Sequence, residues 1–344
     1  MNRFILFTVL LLFAVFILMR CQKGLQASHC PGFERDLPTG GTWNNPSDWK
    51  KAESGFVGIR GISFENYPRV DGSTSVNILN TMVACKLLGI GYRWMESNEW
   101  YLATNWDNIP VQYGSFFGTR VKTSQTHGAF MNLINGNADI ILTSSSISPE
   151  EKAYADSVGV TLIESSIALD AFVFIVNKYN PVNSLTVDQI RKIYTKEITN
   201  WSEVGGYNVN MRVFTRTRNS GSEETFRDLV MSGLEPADFP LAVISSMSEV
   251  FREVSDNVAS ICYTFNTYKD MQARKLCNEV PVLAINGICP DENTVKNRTY
   301  PLTTEVLVSI RSDLDRNSMA YELYKWLHSN NAKHTITESG FVPK

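Results

Sequence analysis

The sequence predicts an α/β protein with mixed, mostly parallel sheets flanked by helices. Three observations predict it. Strand-like and helix-like runs alternate along most of the chain, which is the pattern of strands joined by helical crossovers. One run, Ala171–Val176, is almost continuously apolar, as a strand covered on both faces must be. Two turns that join a strand to a helix, Val70–Val76 and Arg216–Phe226, are packed with glycine and hydroxyl residues. A helix start leaves N–H groups unpaired at the positive end of its dipole, so such a turn can cup an oxyanion.

The chain has 344 residues, enough for two domains, with 43% hydrophobic and 19% charged residues. Its net charge of −3 and the lack of any Lys/Arg block argue against a nucleic-acid partner. An anionic ligand would then be held by local donors and not by a global positive field. Arg3 precedes an apolar run from Phe4 to Met19 that ends at Arg20-Cys21. A basic start and a short apolar core make residues 1–21 an export signal or membrane anchor. Cys21 resembles the lipidated cysteine of bacterial lipoproteins, with Leu18 in keeping and Arg20 departing from that pattern. Residues 22–52, rich in Gly, Pro, Asn and Ser, read as a tether. Cys277 and Cys289 are close enough in sequence for a disulfide in an exported protein, or are buried free thiols. No Cys-x-x-Cys pair and only four histidines leave no zinc ligand set, and no cofactor is expected.

The body opens with short extended segments at 55–62 and 67–70. A helix over 75–88 follows, with Val76, Leu79, Val83 and Leu87 on one face. Residues 91–118 form an excursion whose aromatics are expected to pack inside it. Helices follow over 124–135 and 149–158, the second opened by Ser148-Pro149. Strands are expected at 138–143, 160–164, 171–176, 211–215 and 259–263. A helix covers 186–194, extended chain returns over 300–310, and a helix over 318–330 closes the fold.

Candidate ligand groups come from the turns. Gly72, Ser73, Thr74 and Ser75 offer hydroxyls and close backbone approach at the first turn, where plain N-capping by Asp71 or Ser73 is the alternative. Ser220, Gly221 and Ser222 form the second, four residues after Arg216. A guanidinium stays charged and binds tetrahedral oxyanions with two parallel bonds. Ser220 with Glu223 also fits a capping box. Ser124 and Thr126 open a further helix. Ser144 and Ser145 lie in a four-hydroxyl run at a strand's C-terminal end, where open α/β sheets bind ligands.

Residues 67–75, 174–186, 189–206, 216–226 and 338–343 together resemble the phosphate-binding components of phosphate ABC transporters, over about residues 54–344. The resemblance implies a periplasmic-binding-protein fold of the second type, with two α/β lobes joined by two crossovers near 172–177 and 300–306. The lobes would be residues 53–172 plus 303–344, and residues 173–302. It also implies an exported, monomeric, membrane-tethered receptor that closes on phosphate or a similar oxyanion and serves an ABC permease. The family's first loop falls on Gly72–Ser75, its second near Ser124 and Thr126, its arginine on Arg216, and its Ser-Gly-Thr on Ser220–Ser222. The third loop departs. Where the family has an aspartate that accepts a hydrogen bond from the phosphate's proton, this chain reads Thr143-Ser-Ser-Ser146. Asp139, Asp71 and Glu223 are the nearby acids, and selectivity among oxyanions stays open. The alternatives are a sensory or adhesion module on the same fold, and a phosphoester hydrolase with His127 as base. No nucleophile motif supports the latter.

Overall fold

The computed structural model describes residues 29–31, 49–96, 100–239, 243–271, 276 and 278–344. The signal or anchor segment with Cys21, most of the tether, and Cys277 lie outside them. Seven strands build the main sheet: Val70–Gly72 (β1), Ile140–Thr143 (β2), Leu162–Val176 (β3), Arg212–Val213 (β4), Ser260–Phe265 (β5), Thr303–Arg311 (β6) and Val342–Pro343 (β7). Their order is β1-β2-β6-β3-β5-β4, with β7 also paired to β3. β1 with β2 and β5 with β4 are parallel, and the pairs made by β3 and β6 are antiparallel. The reason is topological. β3 and β6 are the crossovers, running in opposite directions between two lobes.

The strands expected at 160–164 and 171–176 are one, β3, whose 15 residues pass through both lobes. Ile167 and Ala168 belong to one hydrophobic core, and Leu169 onward to another. The change of core thus falls a few residues before the 172/173 boundary read from the sequence. The β3–β6 register shifts between Val306 and Leu307, opposite Ala168 and Ser166. A bulge bends and twists the strand that carries it, so the irregularity sits where the chain changes lobe.

The first core gathers the helix Asn77–Leu88, the hairpin Tyr92–Glu96/Trp100–Thr104 and the closing helix Met319–Leu327. Tyr92, Trp94 and Phe116 of the aromatic excursion are buried there, and only Trp106 of its large rings is mostly exposed. The second core is aromatic: Tyr194, Phe226 and Tyr263 cluster, with Phe226 and Tyr263 stacked at 4.5 Å.

Cys289 is bonded to Cys30, 259 positions away, and not to Cys277. Sequence proximity suggested the wrong partner because the 29–31 segment lies against the second core, with Cys30 N–H bonded to the Val282 carbonyl. The expected tether is therefore stapled to the body at Cys30. It rejoins the first lobe at Lys50, which pairs with Tyr92. Cys85 and Cys262 are buried free thiols. Among the described residues no helix is long and apolar enough to cross a membrane.

Candidate functional site

A cleft of about 440 Å³ opens between the lobes. Ser73, Thr74, Ser75 and Thr126 line it from the first lobe, and Arg216, Ser220, Gly221 and Ser222 from the second. The two turns singled out in the sequence therefore face each other across one space.

Ser73 does not cap the helical turn it begins, and the N-cap alternative fails there. Its Oγ instead lies 2.9 Å from Ser75 Oγ, which lies 2.8 Å from Ser144 Oγ, giving a chain of hydroxyls behind the first loop. Asp71 does not cap the turn either. Its buried carboxylate accepts from the N–H groups of Gly72 and Ser124 and from Asn132 Nδ2, so it ties the first loop to the helix Gln125–Ile134. Gln125 begins that helix at φ 63°, a region few non-glycine residues adopt, and it faces the cleft.

At the second loop Ser220 accepts from Glu223 N–H, but Glu223 does not complete the capping box. Its carboxylate turns inward to accept from Tyr263 OH and Arg227 Nε. Burial holds the Tyr263 phenol far above its usual range, so it stays a donor to Glu223 while its oxygen accepts Arg216 N–H at 3.1 Å. Arg216 is 4% exposed. Its Nε donates to the Ile244 carbonyl, and Nη1 reaches Met247 Sδ. Among the described residues no carboxylate pairs with this guanidinium. Arg218 points outward to Glu150 of the other lobe.

Gly221 is required for close approach. A Cβ there would meet Thr126 Oγ1 at 2.5 Å and Ser145 Oγ at 3.3 Å, both from the facing lobe.

Four of the residues singled out do not line the cleft. Gly72 is needed because a Cβ would sit 2.7 Å from the Leu142 carbonyl, so its close approach is to β2 and not to a ligand. Ser124 is held by Asp71 and Asn132. Ser144 and Ser145 open onto a smaller cavity of about 210 Å³ beside Thr225 and Thr304. Asp139 is paired with Arg69. With Asp71 and Glu223 also engaged, no carboxylate lines the cleft among the described residues. His127 bonds to Glu151 and is absent from the lining.

Sequence reasoning missed Gln125, Ser245–Ser248, Phe265 and Tyr268. The serine run carried the same signal as the other loops, hydroxyls before a helix (Glu249–Ser255), but its preceding strand is two residues long and easily overlooked.

A cleft between two α/β lobes, lined by hydroxyls and one buried arginine, defines a two-lobed binding protein. The chain belongs to the PBP superfamily, whose domain model matches residues 107–330. It is 28% identical over 232 residues to Protein SphX of Synechococcus elongatus, spanning 65% of this chain and 68% of that one. It is 25% identical over 251 residues to the phosphate-binding protein PstS of Bacillus subtilis, spanning 72% and 76%. Among solved structures, a putative phosphate ABC transporter substrate-binding protein with bound phosphate from Clostridium perfringens matches with TM-score 0.58 and 21% identity, over 82% of this chain and 99% of that one. An ABC-type phosphate transport receptor from Vibrio cholerae matches with TM-score 0.56 and 23% identity, over 80% and 99%. At these identities the structural likeness speaks to the fold.

Proposed function

We propose that this chain is an exported solute-binding protein that captures an inorganic tetrahedral oxyanion, phosphate first, and delivers it to an ABC permease. One observation carries the reading: hydroxyl loops from two lobes converge on one cleft with a buried arginine that has no acidic partner among the described residues. An uncompensated buried charge is costly, so a site of this kind is built for an anion. Hinge closure at the β3 bulge would then exclude water from the bound ligand. The names of the similar proteins, phosphate-binding and transport receptors, support phosphate and a permease as partners. The apolar segment Phe4–Met19 and Cys21 support export and tethering to a membrane.

The site reads as a binding site and not a catalytic one, since His127 is engaged by Glu151 away from the serines of the cleft. The lack of a carboxylate in the lining bears on selectivity. No described lining group repels a fully deprotonated anion or requires a proton from it. Calorimetric titration with inorganic phosphate and with sulfate, at pH 5 and pH 8, tests this. The expected result is one site per chain, phosphate affinity no weaker at the higher pH, and measurable competition by sulfate. Absence of binding by either anion would sink the reading.

A further inference from the structure

We propose that the Met247 sulfur competes with the anion for Arg216 and Ser222, and that anion affinity is set by that competition. The proposal rests on the oxyanion reading above. Arg216 Nη1 and Ser222 Oγ both end on Met247 Sδ, at 3.4 and 3.5 Å. The three residues come from a strand, a helix start and the Ser245–Ser248 turn, and all face the cleft. Their convergence is therefore not a by-product of one local turn.

The chemistry fits a displaceable cap. Arg216 is buried and has no acidic partner among the described residues, so without a ligand its guanidinium needs another acceptor. A thioether is neutral and accepts weakly. It satisfies the arginine without holding it against a dianion, whose oxygens accept far more strongly and add the attraction of opposite charges. The unbranched methionine side chain can swing aside by rotation about its own bonds. The turn that carries it is pinned separately. Ser246 Oγ lies 2.8 Å from Ser248 Oγ and also accepts Ser248 N–H, so the side chain can leave without the loop unfolding.

Competition fixes the sign of two changes. Leucine fills similar space but accepts nothing, so Met247→Leu removes the competing acceptor and tightens anion binding. Oxidation does the reverse. Hydrogen peroxide transfers one oxygen to the sulfur as its O–O bond breaks; the thioether loses two electrons to become a sulfoxide, and the peroxide is reduced to water. The sulfoxide oxygen is a far better acceptor for Arg216 than the sulfur was. Met247 is then a modification site at which an oxidant shuts the receptor.

The experiment is calorimetric titration of the full chain with inorganic phosphate, for wild type and Met247→Leu, each untreated and peroxide-treated. Met247→Leu is expected to bind about three- to tenfold more tightly than wild type. Peroxide is expected to weaken wild type by at least about tenfold and to leave Met247→Leu unchanged. The variant controls for the other methionines among the ten in the chain. Equal or weaker binding by Met247→Leu, or peroxide weakening that persists in it, overturns the proposal while leaving the oxyanion reading intact. Absence of phosphate binding in all four samples overturns both.

Discussion

Among the described residues that line the cleft, Arg216 alone is charged, and its position is fixed from behind by Tyr263 and the Ile244 carbonyl. That pre-positioning leaves the outer guanidinium edge as the main source of charge-assisted bonds to an anion. Arg216→Ala is expected to weaken phosphate binding at least about 100-fold, and Arg216→Lys about tenfold, because an ammonium lacks the planar fork. Titration calorimetry reads both, and unchanged affinity in the alanine variant would remove the arginine from the site. Gly221 acts through space and not charge. With a Cβ 2.5 Å from Thr126 Oγ1, Gly221→Ala props the lobes apart. The expected result is about tenfold weaker binding with thermal stability changed by less than about 1 kcal/mol. A variant that binds normally would show that the lobes need not come this close.

The loops act as elements because buried groups bind them together. Asp71 accepts from both the first loop and the start of the helix Gln125–Ile134. Asn at this position has one acceptor oxygen in place of two, so Asp71→Asn leaves a buried donor unpaired and should cost about 1–3 kcal/mol, read by thermal or urea unfolding. Loss of anion affinity should accompany it, since Thr126 and Gln125 would no longer be registered against Ser73–Ser75. This is also where the sequence was partly opaque. The hydroxyl loops were legible because each is a contiguous run before a helix. Which of their residues reach the cleft was not, because that depends on what stands behind them. Ser144 supports Ser75 from the rear, Ser124 is spent on Asp71, and Gly72 answers to the Leu142 carbonyl. Asp71 and Glu223 showed their charge in the sequence but not their direction, and both turn toward protein donors and away from the ligand space.

At the scale of the molecule, alternation of strands and helices made the α/β class readable, and the apolar run at 171–176 marked the crossover. The length of β3 was hidden because its opening residues, 162–166, are less buried and more polar. The Cys30–Cys289 bond was hidden for a different reason, since nothing in sequence spacing reports a contact across 259 positions. It anchors the N-terminal segment to the second lobe, and neither cysteine lines the cleft. The double change Cys30→Ser with Cys289→Ser is expected to lower unfolding free energy by about 2–4 kcal/mol while phosphate affinity stays within about twofold, as chemical unfolding and titration would show. Glu305 gives a pH signature at the second crossover. Burial alone would raise its carboxyl, but Arg298 and Lys344 outweigh burial and hold it below the ordinary value. A depressed carboxylate contributes stability above its unfolded pKa and loses it as pH falls through the folded one. Glu305→Gln should therefore narrow the stability difference from wild type only in acid, and an identical pH profile would discount this contact.

The proposed function places one oxyanion between the Ser73–Ser75 loop and the Ser220–Ser222 loop, within reach of Arg216. Crystals grown with arsenate, a tetrahedral stand-in for phosphate with its own anomalous signal, locate the anion directly. The expected result is a single strong peak in the cleft, hydrogen-bonded to Arg216 and to hydroxyls of both lobes, with the Met247 sulfur displaced. A peak elsewhere, or an empty cleft at saturating arsenate, would contradict it.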